Sequence, residues 1–112
     1  MSRPRLTAAF WVSAYLSRLQ AAGIAAYVPA RGDATAGAVM VKLATMDGKA
    51  QLWQRLFDPM TDRRAWVCTE RGEEAAIDAR LARERARDTD LWIIEVEDRH
   101  GRHMLDASGL DE

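Results

Sequence analysis

The sequence predicts an α+β domain, a mainly antiparallel sheet of five to six strands with two helices, in the order α-β-β-β-β-α-β-β. Near the N-terminus apolar residues recur at helical spacing, whereas from Ala38 onward they alternate singly, the period of a strand. Asp47-Gly48 marks a tight hairpin between two such runs. Strands joined by turns this short have to be antiparallel, because parallel pairing needs a crossover of about a dozen residues. Both helices are expected on one face of that sheet.

The first helix is expected over residues 7–22, with Thr7 accepting an orphan amide at its start and Gly23 supplying the left-handed residue that ends it. At about 100° per residue, Ala8, Trp11, Val12, Tyr15, Leu16 and Leu19 fall within an arc of roughly 140°, the core face. Phe10 projects nearly opposite, beside Ser13 and Ser17. Strands are expected over 24–28, where Pro29 confines the run to an edge or an end, and over 38–46, with Val39, Val41 and Leu43 opposite Met40, Lys42 and Ala44. Asp47-Gly48 suits a two-residue type I′ turn into a strand over 50–57, in which Trp53 and Phe57 share a face. A further strand follows over 64–70 after the Asp58-Pro59 break, with Cys68 read as a small core residue. The second helix, 73–88, starts at Glu73-Glu74 and ends among Arg83, Arg85 and Arg87, as the helix dipole favours; Ile77 and Leu81 form one apolar stripe and several alanines another. A strand over 91–97, a turn at Asp98-Arg99-His100-Gly101 and a last strand over 102–106 close the chain.

At 112 residues, 48% hydrophobic and 29% charged with net charge -1, the chain is the size of one domain, with an N-terminal arm over 1–5 and a flexible acidic tail over 107–112. No apolar run approaches the roughly 20 residues of a membrane-spanning helix. The near-zero charge argues against bulk attraction to nucleic acid or anionic lipid. Residues 1–57 carry a balance of +5 and residues 58–112 one of -6, which interleaving in one fold largely cancels, although contact between two copies could also exploit it. Arg3 and Arg5 before an apolar stretch resemble a signal sequence, but Ser13, Ser17 and Gln20 give that stretch the polar side of an amphipathic helix. The single Cys68 fits a reducing compartment, so a cytoplasmic location is expected. The preference for arginine over lysine and the abundance of alanine read as the bias of a GC-rich bacterial genome.

Trp11-Val12-Ser13-Ala14, Arg31-Gly32-Asp33 with Ala36-Gly37-Ala38-Val39, and Asp90-Leu91-Trp92 with Glu95-Val96-Glu97-Asp98 together resemble the proteobacterial domain-of-unknown-function family 1491. The resemblance covers nearly the whole chain, and the last two motifs are its most specific part. It implies a bacterial single-domain protein and no mechanism.

The residues themselves offer several constellations. Arg31 and Asp33, beside a glycine-containing loop and with Lys42 on the next strand, could hold an anion such as a phosphate. The plainer reading is a turn in which Asp33 caps local amides, and no P-loop spacing follows Gly37. Glu95 and Glu97, roughly 7 Å apart on one strand face, are the solvated side of a strand whose core side is Trp92, Ile94 and Val96. His100 and His103 lie in a turn without a recognisable partner motif. Arg80, Arg83 and Arg87 form a basic stripe that could meet nucleic-acid phosphates, but Glu84 and Asp88 border it. No catalytic set, metal site or cofactor motif emerges.

Phe10 remains, an aromatic on a polar helix side that forgoes about 2 kcal/mol of burial unless something covers it. The favoured reading is therefore a non-enzymatic interaction or regulatory module, a homodimer joined near Phe10, Ser13 and Ser17, with a further, unidentified protein partner. A small enzyme or binding domain for an anionic, phosphorylated molecule at Arg31, Asp33 and Lys42 is the alternative. Nucleic acid, through Arg80, Arg83 and Arg87, is the least favoured partner.

Overall fold

Thr7 opens helix α1 (Ala8–Ala21) by taking an extended backbone and accepting the Phe10 N–H at 3.2 Å. Gly23, at φ +74°, turns the chain out of the helix in a conformation that side chains resist. The structure, a computed structural model, describes residues 6–106; the expected N-terminal arm (1–5) and acidic tail (107–112) lie outside the described residues. The buried face of α1 is Ala8, Trp11, Val12, Tyr15 and Leu19, as the helical period predicts, with Leu16 half-buried at its margin.

Five strands follow as β1 (Ala25–Ala30), β2 (Val39–Ala44), β3 (Lys49–Asp58), β4 (Arg63–Glu73) and β5 (Trp92–Glu97), with helix α2 (Glu74–Arg87) between β4 and β5. They form one sheet in the order β1-β5-β2-β3-β4. The pairs β1–β5, β2–β3 and β3–β4 are antiparallel, but β5 enters beside β2 in the parallel sense. Helix α2 is the crossover that permits this, carrying the chain back along the sheet before β5 begins. Pro29 sits in the edge strand β1, where its missing N–H costs no ladder bond.

Strand alternation sends the two helices to opposite sides. Val41, Leu43, Ile94 and Val96 point to the α1 side, where they join Trp11, Val12, Tyr15 and Leu19 in one core. Their neighbours Met40, Leu52 and Ile93 point the other way and meet Ile77 and Leu81 of α2 in a second core. The expected single helical layer is thus replaced by helix–sheet–helix, because β2 and β5 are apolar on both faces and each face needs a cover.

Two local expectations change as well. The hairpin after β2 uses three residues rather than a two-residue type I′ turn: Met46 (φ 65°) and Gly48 (φ 84°) are left-handed, and Thr45 donates to the Lys49 carbonyl. Asp47 supplies the rest, its carboxylate accepting from Thr45 Oγ1 at 2.6 Å and Lys49 N at 3.1 Å. The expected last strand over 102–106 is absent from the sheet. β1 already occupies the far side of β5, so the segment instead folds as an irregular strap that buries Leu105 in the α1-side core.

Candidate functional site

The main concentration of charge among the described residues lies beneath α2. Lys42 sits at the centre of β2, 3% exposed, in a strand otherwise apolar. Its ammonium meets Glu74 Oε2 at 2.7 Å and Asp78 Oδ1 at 2.6 Å, one turn apart on α2, and Glu95 Oε1 on β5 at 3.4 Å. The parallel register places Glu95 opposite Lys42. Burial disfavours the lysine charge, but the hydrogen bonds that Lys42 donates to Asp78 and Glu74, joined by the charge of Glu95, outweigh it and hold Lys42 protonated above the ordinary lysine range.

The network continues to the sheet edge. Tyr27 of β1 donates to Glu95 Oε2 at 2.7 Å and lies 3.0 Å from Glu97 Oε2. The bond to Glu95, then partial desolvation and the bond to Glu97, push its phenol above the ordinary tyrosine range. Neither Lys42 nor Tyr27 gives up a proton near neutrality, so neither acts as a base or nucleophile there. Glu95, expected to be solvated, has a side chain only 15% exposed because it spans these two donors. The sequence carries only fragments of this site, a lysine inside an apolar strand and carboxylates four residues apart on the later helix, with no signal that joins them.

Arg31 and Asp33 do not join Lys42. Arg31 lies over the ring of Trp92, 5.2 Å from its centroid, a ring that belongs to the α1-side core. The Asp33 carboxylate accepts from Thr35 N at 3.2 Å and Ala36 N at 2.8 Å, so the amides that might cradle an anion are already occupied. Backbone bonds complete the loop: Thr35 and Ala34 carbonyls take the Ala8 and Ala9 amides at the start of α1, and Asp33 N donates to Asp90 O. Trp92 Nε1 donates to Asp33 O at 2.8 Å. Gly32 and Gly37 both press against the Asp90 carbonyl so closely that a Cβ on either would overlap it.

The arginine stripe is largely neutralised. Arg80 pairs with Glu70 at 2.9 Å and Glu84 at 3.1 Å, and Arg87 reaches Glu84 at 3.4 Å, while Arg83 is exposed. Phe10 is 60% exposed, with Ser13 and Ser17 exposed on the same helix. Cys68 is half-buried, not a full core residue. No group of three or more His, Cys, Asp or Glu among the described residues is placed to hold a metal ion. No helix among them is long and apolar enough to cross a membrane.

A group of exposed apolar side chains at the end of one hairpin was not anticipated. β3 and β4 outrun the rest of the sheet: β2 pairs no further along β3 than Gln54, so Arg55–Asp58 bonds only to β4. Leu56 (42% exposed), Phe57 (59%) and Met60 (90%) lie on this two-stranded extension.

The family model described as a protein of unknown function (DUF1491) matches residues 6–106. The chain belongs to the DUF1491 family. Among solved structures it is similar to the crystal structure of a DUF1491 protein from Caulobacter crescentus CB15, at 36% identity over 91% of this chain and 96% of that one, with a TM-score of 0.82. An NMR structure of a DUF1491 protein from the same organism gives 36% identity, coverage of 93% and 96%, and a TM-score of 0.79. The solution structure of protein Atu0922 from A. tumefaciens gives 34%, 84% and 86%, and 0.70. No protein of curated function matches. In this DUF1491 chain the motifs that suggested the family are architectural: Trp11 and Trp92 build the α1-side core, and Asp33, Gly32, Gly37 and Asp90 lock the loop to it.

Proposed function

We propose that this DUF1491 protein is a non-enzymatic interaction module that works as a homodimer, joined through the outer end of the β3–β4 hairpin. The observation that carries this reading is the two-stranded extension with Leu56, Phe57 and Met60 in solvent. A lone two-stranded ribbon is marginal in water, and each large apolar side chain left exposed forgoes about 1.5–3 kcal/mol. A second copy suits the charges of the ribbon. Exposed Arg63 and Arg64 and the acidic Asp58 and Asp62 flank the same turn, Asp58 opposite Arg63, so a two-fold contact can set the arginines of each copy against the aspartates of its partner. Strand-to-strand pairing along β4 is disfavoured by the bulge opposite Leu52 and Trp53, which breaks the regularity of that edge.

Phe10 on α1 is the alternative seat, supported by its exposure alone. The cytoplasm is the proposed setting, supported by the single cysteine. An anionic ligand finds less support, because Lys42 is outnumbered by its three carboxylates and the loop amides bind Asp33.

Light scattering across a concentration series tests the reading. The wild-type chain is expected to reach twice the monomer mass, and the double variant Phe57→Asp/Met60→Asp to stay monomeric, with Phe10→Asp still dimeric. Loss of the dimer in Phe10→Asp alone would move the interface to α1. A monomeric wild type at every concentration sinks the homodimer.

A further inference from the structure

We propose that segment 101–106 is a proton-operated latch, held closed over the α1-side core by a neutral His103 and released when that imidazole takes up a proton. Four contacts define it. His103 Nδ1 accepts the Leu105 N–H at 3.0 Å, a bond only an unprotonated Nδ1 can make. The ring lies against Trp53 of β3, centroids 4.2 Å apart. Tyr15 of α1 donates its hydroxyl to the His103 carbonyl at 2.6 Å, and Leu105 is sunk in the core at 2% exposure. Protonation places a hydrogen on Nδ1 opposite the Leu105 N–H, so donor meets donor and the bond that aims Leu105 inward is lost.

The surroundings decide the direction. Asp106, in the same segment, favours the charged form, and the face of Trp53 can accommodate a cation. Tyr15, the titratable group from α1, stays neutral because burial pushes its phenol well above the ordinary range. Burial of the imidazole outweighs the attraction of Asp106 and holds the pKa of His103 below that of a free histidine. The latch is therefore fully closed above the ordinary histidine pKa of about 6.5, and closure weakens as pH falls from there to the lower value of the closed state. The upstream turn keeps its grip, because Asp98 binds the Arg102 amide and guanidinium independently of His103. Release also bares Trp53, which lies two and four residues from Arg55 and Phe57 on one face of β3. The inference stands independently of the hairpin reading.

Nuclear magnetic resonance on the full chain tests it. At pH 8 the imidazole nitrogens of His103 are expected to report hydrogen on Nε2. The Leu105 amide protection factor is expected to fall up to tenfold per pH unit across the window, in step with the His103 titration. His103→Asn, whose side-chain oxygen can accept from Leu105 without titrating, is expected to make that protection independent of pH. Hydrogen on Nδ1 at pH 8, a flat protection factor through the wild-type titration, or an unchanged pH dependence in the asparagine variant each overturns the latch.

Discussion

Lys42 and the two glycines of the β1–β2 loop are the residues on which small changes should weigh most. Lys42→Met leaves Glu74, Asp78 and Glu95 facing one another across a buried gap, and stability is expected to drop by about 3 kcal/mol. Glu74 and Asp78 can turn partly to water, so adding Glu95→Gln, which removes the most enclosed carboxylate, should restore about half the loss. Urea unfolding at pH 7 of both variants measures this, and a neutral Lys42→Met would dissolve the account of the network. Gly32→Ala drives a methyl into the Asp90 carbonyl and is expected to cost about 2 kcal/mol or more, with loss of the Trp92–Asp33 hydrogen bond visible at the indole N–H. Individual side chains were legible where local rules govern them: Thr7 as a cap, and Phe10 on the exposed side of its helix. Lys42 was not, because its partners come from α2 and β5, more than 30 positions away, and periodicity carries no information about which strand will lie beside which.

At the level of elements, the hairpin should separate association from folding. Phe57→Asp/Met60→Asp changes side chains that already face water, so its thermal midpoint in dilute solution is expected to match the wild type within about 0.5 kcal/mol of stability. A calorimetric loss of several times that amount would mean the extension is packed within its own molecule. Helix limits and strand limits were close to those read from caps, breakers and alternation. The turn at 45–49 was less so: Asp-Gly suggested two central residues, and the hydrogen bonds of the Asp47 carboxylate to both flanks selected three. The last strand failed for a different reason. Segment 102–106 has a plausible pattern, but β1 and β2 occupy both sides of β5.

For the molecule as a whole, stability in strong acid should depend on Asp98. The Arg102 side chain, then the Arg102 amide, hold its carboxyl down at about 2 despite burial. A carboxyl lowered in this way stabilises the fold fully above its ordinary value of 3.8 and loses that contribution as pH falls towards about 2. Wild-type stability is therefore expected to decline over that window more steeply than that of Asp98→Asn, as read from urea midpoints at successive pH values; identical slopes would count against it. The α+β class followed from the sequence, whereas the helical layers did not. Both helices were expected on one face of the sheet, yet Met40 of β2 and Leu52 of β3 are buried on the face opposite Val41 and Leu43. The parallel pair was equally out of reach, since it depends on where α2 returns the chain. That return has a temporal side. The strand that separates β1 from β2 follows every other strand of the sheet in chain order, so on the ribosome β1 has no sheet neighbour until β5 emerges. A nascent chain stalled before Trp92 should accordingly be open to protease or chaperone at β1, and gain resistance there only once β5 has emerged.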